Sequence, residues 1–161
     1  MELISVRELF KNTAAYAGKE VEIGGWVRNR RPSKQFGFIV LNDGTYFTPV
    51  QVVYNDSLEN FQEISKINIG AALIVKGIVE LTPNGQQPFE IQASTVTVEG
   101  PSTGDYPLQP KRHTMEFLRT ITHLRPRTNT FQAVFRVRSL AAMAIHKFFQ
   151  ERDFVYVHTP L

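Results

Sequence analysis

Residues 36–42 alternate strictly, with Gly37, Ile39 and Leu41 on one side and Phe36, Phe38 and Val40 on the other. A strand, with its period of two, sends those sets to opposite faces. Asp43-Gly44 follows as a turn signal. Residues 47–54 then form another run, in which Val50 and Val52 oppose Gln51 and Val53. Such a hairpin commits the chain to a sheet and the face of Ile39 and Leu41 to its core.

Just upstream, Arg28, Arg30, Arg31 and Lys34 crowd into one short stretch, and no acidic residue intervenes between Glu22 and Asp43. Cations beside strand aromatics suit a single-stranded nucleic acid, whose phosphates are neutralised on one side while bases stack on the other. A solvated basic loop is the plainer reading. Charge distribution weighs against it: residues 1–100 carry nine Lys/Arg and eleven Asp/Glu, yet four of the cations sit together. Residues 101–161 carry nine against four, an excess of positive charge that begins at Lys111.

Around the hairpin the chain supplies the rest of a small barrel. Ser5-Val6-Arg7-Glu8 is a capping box for a short helix with Leu9 and Phe10 on its apolar side, ending before Gly18. Residues 21–28 alternate as a strand, with Gly24-Gly25 marking a bend or bulge. Asp56 can cap a helix carrying Leu58, Phe61, Ile64 and Ile67, stopped by Gly70. Residues 71–81 and 89–98 are two further strands joined by the turn Pro83-Asn84-Gly85. The result is mainly β: three strands, a helix, then two strands. That is the element order of the five-stranded OB-fold barrel, although an unrelated barrel or sandwich could share it.

Residues 101–128 read as a hinge, with Pro101, Gly104, Pro107 and Pro110 excluding long regular elements. A short helix is expected at 115–118, and Pro126 marks the next break. From Asn129 or Thr130 a long helix is expected to reach about residue 153, followed by a strand at 154–158. Its apolar residues form two stripes, Val134, Val137, Ala141, Ala144 and Phe148 beside Phe131, Phe135, Ala142, Ile145 and Phe149. A surface this wide implies contact on two sides. Residues 129–161 therefore resemble the start of a domain rather than a whole one.

Other classes are disfavoured. The N-terminus lacks a charged head followed by an apolar run, so no secretion signal is read. The apolar patch at 71–79 contains Lys76 and is too short to span a bilayer. With no cysteine there is no thiolate metal site, and His113, His123, His146 and His158 lack metal-ligand spacing. A cytoplasmic protein is the expectation, with neither membrane nor DNA as partner.

Several motifs now read together. Gly25-Trp26-Val27-Arg28 with Arg30-Arg31, Asp43-Gly44-Thr45, Pro49-Val50-Gln51-Val52-Val53 and Phe89-Glu90-Ile91-Gln92-Ala93 resemble the anticodon-binding barrel of asparaginyl-tRNA synthetases. Lys111-Arg112-His113, the run from His123 to Asn129, and the long helix leading to Thr159-Pro160-Leu161 are similar to that family's hinge and class II motif 1. This gives the expected organisation: an OB-fold at 1–100, a hinge at 101–128, and at 129–161 the first helix and strand of a class II α/β catalytic domain.

The resemblance implies that Phe38 stacks on the middle anticodon base, that Gln51 reads it, and that Arg31 contacts the anticodon loop. Arg28, Arg30 and Lys34 are the remaining candidate contacts. Pro32 departs from the family's usual Arg-Asp-Ser-Lys and leaves open which arginine meets base or phosphate. Phe135, Ala142, Ile145, Phe149 and Pro160 would belong to the motif 1 interface of a homodimer. No catalytic residue is expected in these residues, because the arginines of motifs 2 and 3 would lie beyond them. The full-length enzyme implied would use ATP and Mg²⁺ to join asparagine to tRNA(Asn), whereas this chain alone is expected to be inactive. An aspartyl enzyme, including one that charges both tRNAs, and a free-standing single-strand-binding protein are the alternatives. The Leu-Asp-Leu-Arg-like segment of the aspartyl branch is absent.

Overall fold

A computed structural model describes residues 2–160 of the chain. It forms two compact units, one ending at His113 and the other beginning at Thr114. The segment expected as a hinge is divided between them.

In the first unit five strands, β1 (Glu20–Pro32), β2 (Phe36–Asn42), β3 (Val50–Asn55), β4 (Ala72–Leu81) and β5 (Phe89–Gly100), close into a barrel in the order β1-β2-β3-β5-β4. All pairings are antiparallel except β3 with β5, the short parallel contact that completes the ring. The alternating residues expected inside are there: Ile23, Val27, Ile39, Leu41, Val50, Val52, Leu73, Val75 and Ile91 are buried. Helix α1 (Val6–Lys11) adds Val6 and Leu9 to the core, and Phe10 packs on Tyr46 and Phe89 with both centroid distances 4.9 Å. A four-residue helix α2 (Thr13–Tyr16) follows.

The Ser5 half of the capping box forms, its Oγ accepting from the Glu8 amide at 3.2 Å. Glu8 does not reach back. Its Oε1 accepts instead from Asn12 at 2.8 Å and from the Tyr16 hydroxyl at 3.3 Å. The orphan Val6 amide donates to Asp43 Oδ2 at 2.8 Å, and Arg7 Nε donates to the Thr45 carbonyl at 2.9 Å. Asp43-Gly44 is therefore not a two-residue hairpin turn. The Asp43 carboxylate accepts from both the Val6 amide of α1 and the Thr45 amide, Asn42 Oδ1 accepts from Gly44, and β3 begins only at Val50, after Pro49, which has no amide to donate.

The helix expected from Asp56 contracts to a single turn, α3 (Phe61–Ile64). Leu58, Phe61, Ile64 and Ile67 are nevertheless all buried. Their constant spacing of three fits a succession of i to i−3 turns, such as Phe61 to Leu58 and Ile67 to Ile64, better than the 3.6 period of a long α-helix.

Residues 101–113 belong to the barrel unit. Asn68 donates to the Ser102 carbonyl at 2.8 Å, and the Tyr106 ring lies against Gly70, where a Cβ would come within 2.8 Å of it. Gly70 has φ +87°, a conformation that glycine adopts at little cost.

In the second unit, α4 (Met115–Thr120), capped by Thr114, leads through a 3₁₀ turn (Arg125–Arg127) to α5 (Asn129–Gln150). Thr128 caps α5, and the Arg125 guanidinium sits 4.7 Å from the centre of the Phe131 ring. No strand forms at 154–158 among the described residues. A strand needs a ladder partner, and none pairs with it in this unit. Asp153 turns the chain with φ 63°, Phe154 packs on Phe149 at 5.2 Å, and Tyr156 meets His146 at 4.8 Å. Of the two apolar stripes on α5 only Phe131 is buried, and Val137 is 65% exposed. Phe135, Ile145 and Phe149 of the expected interface are exposed large hydrophobics, and Ala142 and Pro160 are also exposed. Leu161, which ends the Thr159-Pro160-Leu161 motif, lies outside the described residues.

Candidate nucleic-acid interface

Strand registers set the outward face of β1, β2, β3 and β5 into two cross-strand rows. Arg31 pairs with Phe38, Phe38 with Val53, and Val53 with Gln92. One step along, Asn29 pairs with Val40 and Val40 with Gln51, whose side chain reaches Glu90 on β5. Cross-strand partners share a face, so Arg31, Phe38 and Gln51 lie on one surface, with Gln51 diagonal to Phe38. The opposite faces of these strands, through Ile39, Val52 and Ile91, fill the core.

Phe38 is half-buried and meets Phe36 edge to face at 5.6 Å. Phe36 is itself 45% exposed. Together they present an aromatic surface on the outside of the barrel, and the rings packed against α1, on its Phe10, are Tyr46 and Phe89, not Phe38. Gln51 Nε2 donates to Glu90 Oε1 at 2.6 Å. Arg31 and Lys34 are exposed at the β1–β2 end of this face.

Arg28 and Arg30 do not join it. The register slips between Val27 and Asn29, a bulge centred on Arg28 that shifts the phase of every later residue. Arg30 thereby pairs with core-facing Ile39, and its guanidinium donates to the Ser65 carbonyl at 2.7 Å. Burial pushes the Arg28 guanidinium below its ordinary pKa, and the neighbouring Tyr106 offsets this in part.

Sequence reasoning missed Glu90 and Asn29 as members of the face. Asn29 depends on the bulge. Glu90 sits in an alternating strand whose phase was legible, but its nearness to Gln51 follows from a parallel pairing between strands far apart in the chain. Among the described residues no group of three or more His, Cys, Asp or Glu side chains could hold a metal ion. No helix among them is long and apolar enough to cross a membrane.

Comparison with known proteins agrees with this geometry. Residues 21–99 match the OB-fold nucleic acid binding domain family. The whole chain is 62% identical to the asparagine–tRNA ligase of Alkaliphilus oremlandii and 60% identical to that of Clostridium acetobutylicum. It spans 35% of the length of each of these relatives. In fold it is similar to the asparaginyl-tRNA synthetase of Pyrococcus horikoshii, with TM-score 0.86 and 23% identity over 99% of this chain and 37% of that one. The aspartyl-tRNA synthetase of Entamoeba histolytica is similar too, with TM-score 0.81 and 22% identity over 99% of this chain and 39% of that one. With an OB-fold barrel bearing an aromatic and basic outer face, the chain carries an OB-fold nucleic acid binding domain and is similar along its full length to about a third of the length of asparagine–tRNA ligases.

Proposed function

We propose that this chain recognises the anticodon loop of tRNA(Asn), with the middle base stacked on Phe38 and its Watson–Crick edge against the Gln51 amide. The observation that carries this reading is the shared outer face of Phe38, Gln51 and Arg31. A uridine presents one donor, N3–H, and flanking carbonyl acceptors. A primary amide beside the stacking ring can accept from the first and donate to one of the others. Arg31 and Lys34 serve the phosphates. The whole protein would ligate asparagine to that tRNA with ATP and Mg²⁺, and residues 1–161 alone would bind without aminoacylating. Identity to asparagine–tRNA ligases favours asparagine over aspartate as the amino acid. The exposed apolar residues of α5, including Phe135, Ile145 and Phe149, would meet a second copy in a homodimer.

Titration of the chain with an anticodon stem-loop carrying a central U tests the interface. Phe38→Ala should weaken binding roughly 5- to 150-fold, the equivalent of about 1–3 kcal/mol for one stacked base. Undiminished affinity in that variant would overturn the reading. Separately, asparaginyl-tRNA formed by residues 1–161 alone would refute the assignment of catalysis elsewhere.

A further inference from the structure

We propose that residues 101–113 form an autoinhibitory strap: with the Tyr106 ring seated on Gly70, they hold the Arg28 guanidinium away from RNA, and lifting the strap adds this cation to the interface. The inference rests on the reading of the barrel's outer face as an RNA site.

Arg28 is the extra residue of the β1 bulge, since Val27 pairs with Leu41 and Asn29 with Val40. In a bulge two residues oppose one, so Arg28 and Asn29 share Val40, whose partner on β3 is Gln51. The Arg28 backbone therefore stands at the margin of the outer face. Its side chain is nevertheless half-buried with Tyr106 as a neighbour, whereas the exposed Arg31 on the same strand reaches solvent.

The contacts that keep it there converge on one corner of the barrel. The Gly70 amide donates to the Val27 carbonyl at 2.8 Å and the Val27 amide donates to the Ala71 carbonyl at 2.9 Å, which fixes the backbone just before Arg28 against residues 70 and 71. Tyr106 lies on the same Gly70. Beside it, Asn68 donates to the Ser102 carbonyl at 2.8 Å, and Gln109 Nε2 donates to the Tyr106 carbonyl at 2.7 Å. Burial disfavours the charged guanidinium, as its lowered pKa records, so the seat is uphill for Arg28 and is kept by the strap's own packing. A phosphate at the surface would receive the cation with charge-assisted bonds.

Among the described residues, 101–113 carry no helix or strand, so lifting them breaks no ladder and does not require the barrel to open. The strap runs directly into Thr114, where the second unit begins. A displacement there that lifts Tyr106 would strengthen RNA binding. By linkage, RNA held through Arg28 would loosen the strap by the same free energy.

The test reads the slope of log affinity against log salt for the full chain, with an anticodon stem-loop carrying a central U and with an oligouridylate. Arg28→Ala should leave the slope as in the unmodified chain, because the closed strap already withholds the cation. Tyr106→Ala should bind both probes more tightly at low salt and steepen the slope by about 0.7, the value of one further phosphate contact on a single strand. Adding Arg28→Ala to Tyr106→Ala should bring the slope back to its starting value. Asn68→Ala loosens the strap without touching Tyr106 and should shift the slope in the same direction. In the unmodified chain, amide exchange in residues 101–113 should quicken when either probe is saturating.

An unchanged slope in a Tyr106→Ala chain whose amide exchange shows the strap open overturns the proposal. So does a lower slope for Arg28→Ala alone, since Arg28 would then meet RNA with the strap closed. A gain in Tyr106→Ala that persists in the double variant overturns it as well, because the strap would then shield something other than Arg28. If Tyr106→Ala does not fold, Asn68→Ala and exchange in the unmodified chain decide, and strap exchange that RNA leaves unaltered or slows refutes the device. The anticodon reading is judged separately: full stem-loop affinity in Phe38→Ala would remove that reading, while the oligouridylate slopes still decide the strap.

Discussion

Gly37 and Tyr54 are cross-strand partners on β2 and β3, and the tyrosine ring fills the space that a side chain at position 37 would need. Tyr54 is buried, and its hydroxyl finds no hydrogen-bond partner among the described residues. The glycine thus lets a large ring enter the core between two residues, Phe36 and Phe38, whose own rings point outward.

Gly37→Ala should destabilise the barrel by about 1–3 kcal/mol through overpacking, and should weaken RNA binding because Phe36 and Phe38 flank the displaced position. Tyr54→Phe, which removes an unpaired buried hydroxyl while keeping the ring, should leave stability unchanged or raise it by about 1 kcal/mol. Urea unfolding monitored by fluorescence checks both. A clear loss on Tyr54→Phe would mean that the hydroxyl has a partner.

The four clustered cations should separate into two classes. Arg31→Ala and Lys34→Ala should each lower the slope of log affinity against log salt by about 0.7 to 1, as expected for one lost phosphate contact on a single strand. Arg30→Ala should leave that slope nearly unchanged and instead lower the unfolding midpoint, since its guanidinium holds the Ser65 carbonyl. Equal slope losses for Arg30 and Arg31 would contradict the register between β1 and β2.

Asp43 ties the β2–β3 loop to the start of α1 by accepting from the Val6 amide, and its carboxylate also accepts from the Thr45 amide at 2.9 Å. Asp43→Ala should cost about 1–2 kcal/mol, the value of a helix N-cap at the upper end. Asp43→Asn, which keeps an acceptor, should recover most of it. Denaturant midpoints of the two variants decide this, and identical losses would show that charge rather than geometry governs the site.

Tyr106 on Gly70 fastens residues 101–113 to the barrel. Tyr106→Ala should speed amide hydrogen exchange in that segment without altering exchange in β4 and β5. Gly70→Ala should do the same at a larger stability cost, because alanine is strained at φ +87° as well as too close to the ring. Unchanged exchange in both variants would show that other contacts, such as Asn68 with Ser102, suffice.

Sequence alone determined the strands of the barrel, their inward and outward faces, and the membership of Phe38 and Gln51 in one surface. Those follow from a period of two, which local composition carries. It also marked Leu58, Phe61, Ile64 and Ile67 as core, although it read their backbone as too regular. Tertiary structure decided what depends on neighbours remote in the chain. A single bulge at Arg28 turned Arg30 inward and left Arg31 outward, although the two are adjacent and chemically alike. A parallel contact between β3 and β5 set Glu90 against Gln51, and the distant amide of Val6 tied the Asp43 turn to the start of α1. At 154–158 the residues suit a strand, but without a partner their backbone groups have no ladder to join.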